Sequence, residues 1–186
     1  PNLELGSEIA VDTETMGLKF SRDRLCLVQL ADSEGKVYLI QIDKNQKNAP
    51  NLAEVMTNEK IVKIFHYARF DIGVLHESLH FMTRNIYCTK IASKLGRTYS
   101  QSHGLKNLVK EILTIDISKE QQSSYWGAQV LSEDQINYAK QDVLYLHKIK
   151  EQLDKILIRE DRYDIFKKTC NFLPIRCQLD NMGWED

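Results

Sequence analysis

Residues Ala10 to Leu18 read AVDTETMGL and set Asp12 and Glu14 directly behind the apolar lead-in Ile9 to Val11. As a strand this stretch points alternate side chains to opposite faces, so the two carboxylates share one face, two residues apart. Like charges that close repel, and the stretch therefore asks for something that holds them together.

Outward from it, EIAVDTE, LCLVQLAD and KVYLIQI are strand-like runs separated by turn-rich or charged pieces around Gly17 to Arg24 and Asp32 to Gly35. That pattern predicts an antiparallel meander. PNLAEVMTN reads as a helix with Pro50 early, KIVKIFHYA as a fourth strand, FDIGVLHESL as a helix and NIYCT as a short strand, with helical patterning then running to Leu95. GLKNLVKEIL carries Leu105, Leu108, Val109 and Ile112 at helical spacing. LSEDQINYAKQDVLYLHKIKEQLDKIL predicts one long amphipathic helix, capped by Ser132 with Glu133 and Asp134 in its first turn. Three strands followed by a strand–helix–strand–helix series imply an α/β fold, a mixed central sheet flanked by helices.

At 186 residues the chain is expected to form one domain over 1–186. Its 42% hydrophobic and 27% charged residues are those of a globular protein, and no run approaches 18 apolar residues, so no membrane partner is expected. The N-terminus lacks a basic-then-apolar signal pattern. The chain opens on Pro1 rather than Met, from which we expect that N-terminal sequence has been removed or left out. Cys26, Cys88, Cys170 and Cys177 are scattered with no C-x-x-C pair, and read as free thiols of a reducing compartment, the cytoplasm.

A net charge of −1 argues against a general nucleic-acid coat, but the charge is unevenly spread. From Ser78 to Lys110 there is no acid, while Arg84, Lys90, Lys94, Arg97, Lys106 and Lys110 are basic. One reading is a solvated helical face with acids nearby in space; the other is a local positive surface that receives phosphates.

Three pieces carry chemistry when taken together: Asp12 and Glu14 on a strand, Asp71 in HYARFD at a helix start, and Tyr138 and Asp142 in YAKQD, four apart and so on one helix face. Taken singly, they read as strand-end or helix-turn acids, a core-edge tyrosine and a solvated charge. Converging on one point, four carboxylates would need cations, and hard oxygen ligands select Mg²⁺ or Mn²⁺. Two such ions suit phosphodiester hydrolysis.

In order and setting, D-x-E, then a lone D, then Y-x-x-x-D resembles the DEDD superfamily of 3′→5′ exonucleases. The tyrosine marks the ribonuclease D-like (DEDDy) branch. The resemblance covers roughly Ile9 to Leu146 and extends through RDRLCLVQLAD, HGLKNLVKEIL and SSYWGAQVLSEDQINYAKQD. The tail NFLPIRCQLDNMGWED is similar to that of the nanoRNase C group, stand-alone members of the superfamily. Tyr125 departs from the pattern, since many ribonuclease D relatives have an acid there.

The resemblance implies a ribonuclease H-like exonuclease fold and a centre of two divalent cations, Mg²⁺ or Mn²⁺. It implies that Asp12 bridges both ions, that Glu14 and Asp142 complete the site of the ion binding the attacking water, and that Asp71 supports the second ion. Tyr138 would orient the water, since a phenol pKa near 10 makes a poor base. By the same likeness Leu18 would wedge against the terminal base, with Met16 and Gly17 letting backbone approach the 3′ end. His66 is a candidate substrate contact or a satisfied core histidine. His103, with Arg97 and Lys106, is a candidate phosphate contact before a helix N-terminus, or part of an ordinary loop. Trp126 reads as a buried anchor or a stacking platform.

A near-neutral chain with one positive patch suits a few nucleotides better than a long polymer. With the nanoRNase C likeness, this favours 3′ ends of short RNA, down to dinucleotides, with DNA as the alternative substrate. The likeness also implies a homo-oligomer, an octamer, and the tail from about 170 to 186 either contributes to subunit contacts or docks on its own domain. A non-catalytic binding module would be expected to have lost a ligand carboxylate, and all four are present. A Ca²⁺ loop would need the D-x-D-x-D-G grammar, which AVDTETMGL lacks.

Overall fold

The computed structural model describes residues 5–19, 22–118 and 120–184. Among the described residues the strands are β1 (Glu8–Thr15), β2 (Leu25–Ala31), β3 (Val37–Gln41), β4 (Val62–Phe65) and β5 (Ile86–Cys88). They form a sheet ordered β3-β2-β1-β4-β5. β1, β2 and β3 pair antiparallel in chain order, whereas β4 runs parallel to both β1 and β5. The expected meander and mixed sheet are both present. β2, LCLVQLA, is buried along its whole length, as befits a strand covered on both faces.

The helices are α1 (Pro50–Thr57), α2 (Ala68–Leu79), α3 (Thr89–Gly96), α4 (Leu105–Leu113), α5 (Glu133–Leu144), α6 (Leu146–Arg159) and α7 (Tyr163–Asn181). Pro50 opens α1, where its missing N–H costs nothing. α5 starts with a capping box: the Gln135 amide donates to Ser132 Oγ at 3.2 Å, and Gln135 Oε1 accepts from the Ser132 amide at 3.0 Å.

The run expected as one long helix is two. The break falls at Tyr145, beyond which the chain continues as α6. α5 packs on β1, β2 and β3, while α6 packs on α3 and α4. Val143, Leu146, Ile149 and Leu153 are all buried, so one apolar stripe runs unbroken across a turn that periodicity does not register.

α7, the helical part of the tail, docks on its own chain, with Phe166, Cys170, Leu173 and Cys177 buried against α2, β5 and α3. Ile165, Phe172 and Ile175 remain on its exposed side. Glu185 and Asp186 of the tail lie outside the described residues, as do Phe20 and Ser21 of the stretch expected to turn between Gly17 and Arg24. All four cysteines are buried free thiols. Among the described residues no helix is long and apolar enough to cross a membrane.

Candidate active site

β1 and β4 are parallel and adjacent, so their carboxyl ends open on the same edge of the sheet. There the chain leaves β4 through His66 and Tyr67 and enters α2, while α5 packs across β1 and β2. The result is an open cleft of about 1090 Å³ lined by Asp12, Glu14, Asp71, Tyr138 and Asp142 together. Carboxylate oxygens of Asp12, Glu14 and Asp142 lie within 4.8 Å of one another. The β1 register slips between Glu14 and Thr15, an irregularity of the kind that re-aims a strand end beside a site.

Burial and mutual repulsion show in the acidities. Burial, then the charges of Asp71, Asp142 and Glu14, push Asp12 well above the ordinary carboxylate range. Burial followed by Asp142 and Asp71 lifts Glu14 from 4.5 to about 9. Burial lifts Asp71 and Asp142 from 3.8 to about 7 each. Such a set is the donor chemistry of a hard divalent cation, which would hold the four groups ionised. The residues present therefore fit the expected centre.

The supports of these acids come from distant parts of the chain. Thr13 lies one step out of the Asp12/Glu14 alternation, and its hydroxyl donates to Asp71 Oδ1 at 2.7 Å. Gln29 stands opposite Asp12 in the β1–β2 register. Its Nε2 lies 3.4 Å from both Asp12 Oδ2 and Glu14 Oε1, a pair of long contacts that straddles the two acids. Gln29 Oε1 is buried with no protein partner. Neither Thr13 nor Gln29 stood out in the sequence, although a glutamine inside LCLVQLA is a polar residue in a strand otherwise wholly apolar.

On α5 the Tyr138 hydroxyl shares a hydrogen bond with the Asp142 carboxylate, and burial, then Asp142, raises its pKa above that of a free phenol. Trp126 is buried with its ring 6.0 Å from that of Tyr138, at 43°, and so packs behind the tyrosine as an anchor. Tyr125 is exposed.

Of the expected substrate contacts, Met16, Gly17, Leu18, His66 and Lys106 line the cleft. Leu18 is 86% exposed, three residues beyond the end of β1. A Cβ built on Gly17 would collide with the Asp23 carboxylate, which accepts from the Lys19 amide at 2.9 Å and so ties the loop. His66 Nδ1 lies 2.9 Å from Thr89 Oγ1. Thr15, Lys19, Tyr67, Arg69 and Lys90 also face the cleft and had not been singled out as contacts.

Arg97 and His103 are placed differently. Arg97 is fully buried, ion-paired with Glu111 and donating to Ser93 Oγ at 2.8 Å and to the Ser102 carbonyl at 3.1 Å. A guanidinium so engaged beneath the loop cannot meet a phosphate. His103 Nδ1 is 2.8 Å from the same Ser93 Oγ, outside the cleft lining. Burial, then Arg97 and Lys94, lowers its pKa from 6.5, which disfavours the cationic ring. The acid-free segment is thus divided: Lys90 and Lys106 face the cleft, whereas Arg97 and Lys110 have acid partners in Glu111 and Asp116.

Residues 2–158 match a protein family described as 3'-5' exonuclease. The chain is 31% identical over 156 residues to ribonuclease D of Gluconacetobacter diazotrophicus, covering 84% of this chain and 39% of that protein. It therefore spans about two-fifths of the length of that curated relative. It is 46% identical to Brucella melitensis NrnC with bound Mg²⁺, with a TM-score of 0.95 over 100% of this chain and 92% of that one. The structure of Brucella melitensis NrnC bound to pGG superposes with a TM-score of 0.95 at 47% identity, covering 100% and 91% of the two chains.

Proposed function

Because the chain belongs to the 3'-5' exonuclease family, we propose that it is a metal-dependent exoribonuclease acting on the 3′ ends of short RNA, down to dinucleotides. The observation that carries this reading is the convergence of Asp12, Glu14, Asp71, Asp142 and Tyr138 in one open cleft. Asp12, Glu14 and Asp142 would hold one divalent cation, Mg²⁺ or Mn²⁺, and Asp12 with Asp71 a second. Bound there, the ions would make water nucleophilic near neutral pH and offset charge on the phosphate.

The chain's own side chains do the rest. Tyr138 stays protonated, and with its O–H turned to Asp142 its oxygen is left to accept a hydrogen bond from the attacking water and so orient it. The water oxygen bonds to the terminal phosphorus as the P–O3′ bond breaks. The products are a nucleoside 5′-monophosphate and a chain one residue shorter, ending in a 3′ hydroxyl. Leu18 stands where an apolar side chain can press on a terminal base, while Lys106 and His66 flank the cleft for phosphate or sugar contacts.

The likeness to a protein solved with pGG, and a net charge of −1 that suits few phosphate contacts, support a short substrate. The exposed apolar side of α7, with Phe172 and Ile175, supports a homo-oligomer with the tail in the contacts, and the family likeness suggests eight subunits. Four buried free thiols fit a reducing cytoplasm.

The test is a timed digestion of labelled RNA dinucleotide, RNA heptamer and single-stranded DNA, each with Mg²⁺, Mn²⁺ or EDTA. An Asp142→Ala preparation runs alongside. Fastest metal-dependent loss of the dinucleotide, absent in the variant, is the expected result. Stepwise shortening of DNA with the dinucleotide spared would overturn the substrate, and full activity of Asp142→Ala would overturn the mechanism.

A further inference from the structure

α2, which carries Asp71 in its first turn, begins without a conventional cap. Tyr67 at the N-cap lies in the left-handed region at φ 71, and no side chain caps the turn. A non-glycine residue held there is strained and persists only where its surroundings enforce it. In α5 a capping box fixes the turn; in α2 something else must.

The last turns of α7 supply it. Arg69, two residues before Asp71, donates to Asp180 through Nε at 2.7 Å and Nη2 at 2.6 Å. Arg176 Nε donates to the same carboxylate at 3.1 Å, one helical turn away. The Cys177 thiol donates to the Arg69 carbonyl oxygen at 3.3 Å. The Asp180 side chain is 4% exposed and that of Arg69 34%, so this bidentate pair is partly shielded from solvent on the Asp180 side. Arg69 and Asp180 both line the cleft. α7 lies beyond residue 158, where the match to the 3'-5' exonuclease family stops.

We propose that Asp180 is a positioning residue of the active site: by gripping Arg69 it fixes the first turn of α2 and so the place of the Asp71 carboxylate. The proposal rests on the reading of Asp71 as a support for a divalent cation. It makes the C-terminal helix part of the machinery of a centre whose ligands all lie earlier in the chain.

Asp180→Asn, Asp180→Glu and Arg69→Lys in the full chain, with Asp71→Asn as reference, test it by three readouts. These are amide exchange from Phe70 to Gly73 in metal-free protein, Mn²⁺ binding by calorimetric titration, and RNA dinucleotide hydrolysis as a function of Mn²⁺. Asp180→Asn is expected to speed exchange in that turn while leaving β1 unchanged. It should weaken Mn²⁺ binding and raise the Mn²⁺ needed for half-maximal hydrolysis about tenfold, a deficit that narrows as Mn²⁺ is raised. Arg69→Lys should do the same more mildly, and Asp180→Glu should recover most of both. Wild-type exchange in Asp180→Asn, or a rate deficit that Mn²⁺ does not narrow, overturns the proposal while Asp71→Asn still alters Mn²⁺ binding. Wild-type Mn²⁺ binding in Asp71→Asn instead overturns the cation reading itself, and this proposal with it.

Discussion

Thr13 and Asp71 are joined by a 2.7 Å hydrogen bond that ties the strand carrying Asp12 and Glu14 to the helix carrying the third acid. The bond works against burial, favouring the ionised form of Asp71. Thr13→Val removes the donor and leaves the shape, so Asp71 should hold its proton to a higher pH. The acid limb of the pH profile of kcat/KM should move up by roughly one pH unit, worth about 1.4 kcal/mol. An unmoved limb would show that another group sets it.

The metal-free protein should become less stable as pH rises. Glu14 is raised from 4.5 to about 9, and Asp71 and Asp142 from 3.8 to about 7. For acids raised on folding, the stabilising contribution is complete below the unfolded values, near pH 4, and is lost as pH climbs through about 7 and then about 9. Cation binding needs the ionised forms, so the increase in Tm on adding Mn²⁺ should grow between pH 6 and 9. Melting curves with Mn²⁺ or EDTA measure it, and a gain that shrinks with pH would contradict the assignment.

Tyr138→Phe keeps the ring against Trp126 and loses only the hydroxyl. The expected effect is a fall of about 100-fold in kcat with little change in KM or Tm. A fall confined to KM would make Tyr138 a substrate-binding group instead.

Gly17→Ala forces a methyl group against the Asp23 carboxylate, which secures the Lys19 amide. Either the Asp23 carboxylate gives way and releases the Lys19 amide, or the loop bearing Leu18 shifts. Because the loop is exposed, KM for an RNA dinucleotide should rise several-fold while Tm stays within about 2 °C. A variant with wild-type KM would remove Leu18 and Gly17 from substrate binding.

Arg97→Met should act on stability rather than on the cleft. It breaks the ion pair with Glu111 and strips Ser93 and the Ser102 carbonyl of a donor. With Glu111 partly exposed, the loss should be on the order of 2 kcal/mol in urea unfolding, below that of a wholly buried pair.

These cases mark what was legible in the sequence. Asp12 with Glu14, and Tyr138 with Asp142, stood out because strand and helix periods put each pair on one face without tertiary information. Thr13 and Gln29 did not, because their partners belong to other elements and only the β1–β2 register and the docking of α2 bring them together. Arg97 was misread because a run of basic residues carries no sign of burial; its partner Glu111 lies just past the run that drew attention. The turn at Tyr145 was hidden because no proline or glycine marks it. His103 went with Arg97, since both meet at Ser93.

The sheet order also sets a timetable for the nascent chain. β1, β2 and β3 are consecutive along the chain and pair with their sequence neighbours, so this meander needs less loop closure than the rest of the sheet and can form early. Asp71 must wait for β4 to insert beside β1 from the parallel side, and Asp142 must come back on α5, well over a hundred residues after β1, to lie across the same strands. Asp12 and Glu14 are therefore presented on a formed edge before the groups that complete their surroundings arrive. In refolding, competence to capture Mn²⁺ should trail the recovery of strand signal, which makes the ion a reporter of the last docking event rather than a seed for the first.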